Sequence, residues 1–424
     1  MGFTITEFPE QIQGRLYQAG RLADELGQDL YLVGGSLRDL LLGRSRTDID
    51  LVLEGDGIEF SDCLSRRVNG IFLPHSNFLT ATIKFPDGQN LDIATARSET
   101  YEHPSALPKV LPASIDIDLK RRDFTINSMA IELNGRGFGN LVDPFSGRAD
   151  LDKRLVRILH ERSFIDDPTR LFRAVRFEQR LKFSLESRTL KKFREAITEG
   201  MVDNLSGNRL LEQLRLACLE TEPWLVFNRL EKLNALKAIH PDLVTTDGLK
   251  TLIQNISQIR NYCSSNYNGL WILHLIALFS INQIENLESI LERLKPNRRI
   301  QKAITGISQW ACVEQEIESG RIETPADFFH KVRTISDDTI LYATLTHHNE
   351  DIRRRCDSYY RHHRHQRLSI NGEALRELEI PEGPVYRLIL NEVLSMRING
   401  TIKNVEEERF AARDIWLRRN IDKI

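Results

Sequence analysis

Residues 31–53 read YLVGGSLRDLLLGRSRTDIDLVL. The apolar run Tyr31-Leu32-Val33 predicts a short strand, closed by the Gly34-Gly35 turn. Ser36 is placed to cap a short helix over residues 37–42, and Gly43 to stop it. A second strand is predicted over residues 49–53, with Asp48 and Asp50 at its start. Residues two apart on a strand share a face, so the two carboxylates project together. They repel unless a cation lies between them. A pair of Mg²⁺ ions does this, with phosphate oxygens of a substrate completing the coordination shells. Gly34-Gly35 lets backbone N–H groups approach a phosphate at a helix N-terminus. Arg38, one turn into that helix, adds positive charge there. Each signal alone is commonplace in turns; the weight lies in their combination at this spacing.

Moving outward, residues 80–85 and 91–96 flank Pro86-Asp87-Gly88 and predict a hairpin. From about residue 150 onward the strand signals nearly vanish. Apolar residues recur at helical spacing, as in Leu171, Val175 and Leu181, or Leu210, Leu214 and Ala217. The expected fold class is α+β, a small mixed-sheet head followed by an all-helical remainder. With 424 residues, 41% of them hydrophobic and 28% charged, disordered, collagen-like and disulfide-scaffold classes are excluded.

The formal net charge of −2 argues at first sight against a nucleic-acid partner. That average hides two unlike parts. Residues 1–150 carry 15 basic and 22 acidic side chains, net −7, whereas residues 151–424 carry 43 and 38, net +5. The second part holds a basic run with aromatics, Arg353-Arg354-Arg355 and then Tyr359 to Arg367, suited to RNA phosphates or to a solvated helix face. Its arginines Arg361, Arg364 and Arg367 complete the set of expected RNA contacts. The five cysteines are scattered and form no CxxC, which fits a reducing cytoplasm and neither disulfides nor a zinc site. The N-terminal residues lack the pattern of a signal peptide. The most apolar stretch, residues 270–281, is interrupted by His274 and is too short to span a bilayer. A cytoplasmic protein with no membrane association is therefore expected.

GGSLRD and TDIDLV resemble the first signature of the polymerase-β-type nucleotidyltransferases, and more narrowly of the class II tRNA nucleotidyltransferases and bacterial poly(A) polymerases. The resemblance continues downstream. RRDFTINSMAIEL is similar to the segment that in that family contacts the nucleotide ribose and favours NTP over dNTP, which implies nucleotide-binding roles for Arg121, Arg122, Asp123 and Asn127. LVDPFSGRADLDKRLVRIL resembles a hinge segment, with Asp143 structural. DDPTRLFRAVRF resembles the family's Glu-Asp-x-x-Arg motif, with Asp166 in place of the Glu, and implies that Asp167 and Arg170 read the incoming base. The chemistry agrees, since Asp only accepts and Arg only donates. One such pair matches the amino donor and ring-nitrogen acceptor that cytosine and adenine share, and faces uracil and guanine with like groups. On residues alone, Asp167 before Pro168 equally reads as a helix cap. SGNRLLEQL resembles the fifth motif, with Arg209 and Glu212 stabilising the helical neck. The superfamily also implies a third carboxylate on a neighbouring strand, and Asp92 is the best match.

The resemblance implies a nucleotidyltransferase head (residues 1–150), a helical neck that reads the base (151–215), a helical body (216–310) and a tRNA-binding tail (311–424). It implies addition of all or part of the 3′-terminal CCA to tRNA from CTP and ATP, with two Mg²⁺ ions held by Asp48 and Asp50 and no obligate protein partner. Poly(A) addition shares these motifs, and a catalytically silent RNA-binding module is the reading from another class. Residues 98–120, where the family carries a flexible loop that bears on CCA, CC or A addition, hold two prolines within YEHPSALPKV.

Overall fold

The computed structural model describes residues 10–44, 48–76, 79–100, 109–257, 268–282 and 287–421. They divide into two compact units, Met1–Gln213 with Glu220–Ile239 and Leu214–Leu219 with His240–Ile424. The segment expected as the neck falls for the most part in the same unit as the head.

The first unit opens with α1 (Glu10–Leu26), β1 (Asp29–Val33), α2 (Gly34–Leu41), β2 (Asp48–Glu54) and α3 (Gly57–Arg67). β3 (Ile71–His75), β4 (Thr80–Lys84) and β5 (Asn90–Thr95) follow, with the expected hairpin between β4 and β5. β6 (Arg97–Thr100) and β7 (Lys109–Pro112) pair with each other, and the eight residues of the YEHPSALP stretch between them lie outside the described residues. Next come α4 (Ile115–Lys120), a 3₁₀ turn at Thr125–Asn127, β8 (Ala130–Glu132) and β9 (Leu141–Val142).

Seven strands form one mixed sheet in the order β3-β4-β5-β2-β1-β8-β9. β2 runs parallel to β5 and antiparallel to β1, so the strand bearing the acidic pair is central. The strand period of two splits its side chains between faces. Leu30, Leu32, Leu51, Leu53 and Ile93 are fully buried on one face, the face on which α1 and α3 pack with Leu16, Ala19, Phe60 and Leu64. On the other, Tyr31, Val33, Val52 and Ala130 join Ile115 and Leu119 of α4 in an apolar cluster. That cover stops short of Asp50 and Asp92, and the acidic end of this face is left open to a cavity.

The unit continues with α5 (Gly147–Asp152), β10 (Leu155–Val156), α6 (Ser163–Asp166), α7 (Thr169–Leu181), β11 (Ser184–Leu185) and α8 (Ser187–Thr198). α9 (Gly207–Cys218) and α10 (Pro223–Lys232) follow. The two-residue parallel pair β10–β11 is a small correction to the all-helical expectation after residue 150. It was illegible because two residues carry no detectable alternation.

The second unit is helical: α11 (Asp247–Ser257), α12 (Leu270–Ile281), α13 (Leu287–Leu294), α14 (Arg298–Glu318), α15 (Pro325–Val332), α16 (Asp337–Thr346), α17 (Glu350–Arg361), α18 (Gly372–Glu377), α19 (Val385–Ile398) and α20 (Val405–Ile421). One core gathers Trp310, Phe328, Val332, Ile340 and Cys356 from α14 to α17. A second gathers Leu375, Ile389, Val393 and Ala412 from α18 to α20. α12 is apolar on all sides and buries residues 272–279, as a helix without a polar face must. Among the described residues, no helix is long and apolar enough to cross a membrane.

Candidate active site

A cavity of about 650 Å³ lies in the first unit, within the range of small-molecule sites. Its walls come from β1, β2, α2, β4, β5, the Arg121–Asn127 segment and α7.

The glycine turn forms one edge. The helix starts at Gly34 rather than after Ser36, so α2 follows β1 without an intervening loop. Ser36 is therefore not the cap. Its hydroxyl donates to the Val33 carbonyl at 2.8 Å and accepts the Asp50 N–H at 3.1 Å, pinning α2 to β2. Gly34 has φ +69°, and a Cβ there would lie 3.1 Å from Arg122 Nη1 and 3.5 Å from Asp50 Oδ2. The left-handed backbone favours glycine, and a Cβ would also press on the Arg122 guanidinium. Gly35 lines the cavity beside it.

Asp50 and Asp92 are direct partners across the parallel β2–β5 ladder and so face the same side. Thr82 Oγ1 donates to Asp92 Oδ1 at 2.6 Å and orients it. Asp48 pairs with Asn90 in the same ladder, two residues before Asp50, and its side chain lies outside the described residues. Among the described residues, no three ligating side chains are preassembled around a metal position. The hard oxygen donors of Asp50 and Asp92, held side by side on adjacent strands, fit a divalent cation.

The arginine pair is organised by a residue that the motif reading passed over. Asp118, fully buried on α4, accepts Arg121 Nη2 at 2.6 Å through Oδ1 and Arg122 Nη2 at 2.8 Å through Oδ2. Burial pushes its carboxyl up, but the Arg122 and Arg121 guanidiniums outweigh that and hold it below the usual carboxylate range. Arg121 also reaches Glu99 at 2.7 Å, which ties it to β6. Arg122 lies nearer the glycine turn and donates to the Asn127 carbonyl at 3.3 Å.

Arg38 lines the cavity but is only 1% exposed, and it donates to Asp39 at 2.8 Å and to Asn127 Oδ1 at 2.5 Å, bonds that engage its guanidinium within the fold. Asn127 in turn donates through Nδ2 to Asp123 Oδ1 at 2.9 Å. Asp123 Oδ2 accepts Arg173 Nε at 2.8 Å and Nη2 at 2.5 Å. The Asp123 carboxyl is pushed up by burial, yet Arg173 and Asn127 hold it below its ordinary value. A continuous polar chain thus runs Asp39–Arg38–Asn127–Asp123–Arg173, from α2 through the 3₁₀ turn to α7. Arg173 escaped the motif reading, although its place three residues after Arg170 puts it on the same helix face.

α7 enters through Asp167-Pro168. Asp167 Oδ1 accepts the Thr169 N–H at 3.1 Å and the Thr169 hydroxyl at 2.7 Å, so the capping role exists. The same oxygen accepts Arg209 Nη2 at 2.6 Å, which connects α9 to the start of α7. Arg209 thereby serves Asp167, and Glu212 lies three residues on along α9. Arg170 is 5% exposed, with Nη1 on Ser163 Oγ and Nη2 on the Arg121 carbonyl, each at 2.8 Å. Asp167 and Arg170 both line the cavity. Asp143 takes the Gly147 N–H at 2.6 Å and the Arg148 N–H at 2.9 Å, capping α5 outside the cavity.

The tail arginines lie in the second unit, and most have acidic neighbours. Arg354 pairs with Glu350 at 2.9 Å, Arg355 with Asp351 at 3.0 Å, Arg361 with Asp357 at 2.7 Å and Arg364 with Asp337 at 2.8 Å. Arg364 also stacks on Tyr360. Arg353 and Arg367 are exposed, and Arg367 donates to the carbonyls of Arg364 and Gln366.

Comparison with known proteins places this geometry. Residues 30–157 match the family model described as the poly A polymerase head domain. The chain is 37% identical over 417 residues to an A-adding tRNA nucleotidyltransferase of Geobacter sulfurreducens, covering 96% of this chain and 47% of that protein, so it spans about half of that relative's length. It is 31% identical over 436 residues to the A-adding tRNA nucleotidyltransferase of Halalkalibacterium halodurans, covering 98% and 95% of the two chains. Among solved structures, the Thermotoga maritima CCA-adding enzyme complexed with tRNA-CCA superposes with a TM-score of 0.68 at 30% identity, covering 96% of each chain.

Proposed function

The chain belongs to the tRNA nucleotidyltransferase family, and from that premise we propose that it adds the terminal adenosine to tRNA ending in CC. The observation that carries the choice of A is that A-adding enzymes match nearly the whole chain at 37% and 31% identity, whereas the CCA-adding enzymes matched over a similar share are 26–30% identical. In this reading the terminal 3′-hydroxyl of the tRNA attacks the α-phosphorus of ATP, a P–O bond forms and pyrophosphate leaves. The family generally uses a divalent metal, and Mg²⁺ would be held by Asp48 and Asp50, with Asp92 as the third carboxylate. When bound, the ions neutralise charge on the attacking and leaving oxygens.

The chain's own residues then divide the work. Gly34, Gly35, Arg121 and Arg122 hold the triphosphate, with Asp118 fixing the two guanidiniums. Asp123 and Asn127 meet the sugar. Asp167 and Arg170 read the base, accepting from and donating to the edge that adenine and cytosine share. Asp143, Arg209 and Glu212 support the frame. The exposed arginines of the tail meet tRNA phosphates in a reducing cytosol, which fits the four free cysteines among the described residues.

The test is incorporation with ATP alone, CTP alone and both, on tRNAs ending at the discriminator base and ending in CC. Addition of one A to the CC-ended tRNA, with no use of CTP on either, is the expected result. Incorporation of CTP on the shorter tRNA overturns the A-only reading. Extended A tails on a generic RNA would make the chain a poly(A) polymerase.

A further inference from the structure

α9 runs alongside α7 in the same direction. Arg209 Nη2 reaches Asp167 at the start of α7 at 2.6 Å, and Glu220, just past the end of α9, accepts Arg176 Nε and Arg180 Nε near the end of α7 at 2.8 Å each. Gln213 lies one helical turn after Arg209 on the same face of α9, and lines the cavity with Asp167, Arg170 and Phe177. It is 8% exposed, and among the described residues its buried Oε1 has no hydrogen-bond partner. An unmet buried amide costs free energy, which a ligand recovers by meeting it. Asp167 has a matching opening. Among the described residues its bonds, from the Thr169 N–H, the Thr169 hydroxyl and Arg209, all fall on Oδ1, which leaves Oδ2 for a ligand.

The Asp167–Arg170 pair does not separate adenine from cytosine, because both bases present it with an amino donor beside a ring-nitrogen acceptor. A chain that adds only A needs a second reader. Adenine carries the acceptor N7 on the other side of its amino group, where cytosine has a C–H. We propose that Gln213 reads this second edge and selects adenine over cytosine, as a specificity-determining residue for A addition. The adenine amino group has two protons. One goes to Asp167 Oδ2 and the other to Gln213 Oε1, while Gln213 Nε2–H donates to N7, the fit of a side-chain amide to adenine N6 and N7. Cytosine in the same place leaves the amide N–H against carbon, a buried donor unmet. This deepens the reading of the chain as an A-adding enzyme and rests on it.

The experiment uses the full chain on tRNA ending in CC and compares kcat/KM for ATP, CTP and 7-deaza-ATP, in which a C–H replaces N7. Wild type, Gln213→Met and Gln213→Glu are measured, with thermal melting of each. Wild type is expected to use 7-deaza-ATP about tenfold less well than ATP, because the amide N–H then faces carbon. Gln213→Met should erase that difference and narrow the ATP/CTP ratio by about tenfold or more. Gln213→Glu keeps an acceptor for the amino group but sets an oxygen against N7, so its ATP/7-deaza-ATP ratio should fall to about one or below. It carries the test if the methionine variant unfolds. Equal use of ATP and 7-deaza-ATP by wild type, or an ATP/CTP ratio unchanged in both variants, overturns the proposal and leaves A addition in place. CTP addition by wild type to tRNA ending at the discriminator base shows instead that the A-only reading fails, and the proposal with it.

Discussion

Asp118 sits with no exposure beneath two arginines that are 19% and 15% exposed, so it is a buried charge whose neutralisation depends on residues facing the cavity. Removing it leaves two guanidiniums close together without their shared anion. Asp118→Ala should therefore destabilise the first unit by about 2–4 kcal/mol, somewhat below a fully buried pair because both arginines retain water. It should also raise KM for the nucleotide; denaturant unfolding and steady-state kinetics check the two effects. The folded carboxyl titrates below its unfolded value, so its contribution is complete above about pH 4 and is lost as pH falls through the lower, folded pKa. At this scale, legibility followed chemistry that is local in sequence. Asp50 was readable because Asp-x-Asp shares a strand face. Asp92 was readable as a strand carboxylate, but its position opposite Asp50 is a fact of β2–β5 register, which no short pattern encodes. Arg173 reads as an ordinary charged helix position until Asp123, its partner across the fold, is known, and Asp118 reads as an ordinary helix ion pair with Arg121 and Arg122, three and four residues on, until its full burial is known.

Asp167, at the entry to α7, carries two functions, and a pair of substitutions separates them. Asp167 accepts the Thr169 N–H as a cap and also lines the cavity. Asp167→Asn keeps a capping acceptor but presents a donor to the base, whereas Asp167→Ala loses both. The alanine variant should lose about 1 kcal/mol more stability than the asparagine variant, read from thermal or denaturant melts. Both should lose preference for ATP over UTP; retained preference in Asp167→Asn would leave capping as the residue's whole role. α12 poses a different problem, since an all-apolar helix holds one titratable side chain. His274 is 2% exposed, its Nδ1 lies 2.9 Å from the Cys218 carbonyl, and burial lowers its pKa from 6.5 to about 4. A histidine held neutral in the fold supports stability above its unfolded pKa, and that support is lost as pH falls from about 6.5 through 4. The span corresponds to roughly 3 kcal/mol. His274→Leu should flatten the acid side of the stability profile, measured by urea unfolding between pH 4 and 7, although it forfeits the carbonyl bond at every pH. The interruption at His274 was visible in the sequence, but its burial against a helix C-terminal carbonyl was not.

Over the whole chain, residues 1–150 carry a net −7 and residues 151–424 a net +5, but charge counts overstate what is free to act. Four of the six tail arginines expected at RNA already face carboxylates at 3.0 Å or less. Such exposed pairs contribute little to stability, about 0–1 kcal/mol, yet an arginine must loosen its acid before it can neutralise a phosphate. Arg353 and Arg367, exposed and with no carboxylate bond described, bear the stronger expectation. Each phosphate contact removed should lower the slope of log affinity against log salt by about 0.7–0.9. The double variant Arg353→Ala, Arg367→Ala should therefore bind tRNA more weakly at low salt, with a slope shallower by roughly 1.4–1.8 and an unchanged ATP/UTP preference. Arg354→Ala, which frees Glu350 as it removes a cation, should change the slope by less than one such step. Filter binding or fluorescence titration of tRNA across a salt series measures both. A double variant with the wild-type slope would move the RNA surface away from α17 and the segment after it, and would leave the basic run as a solvated helix face.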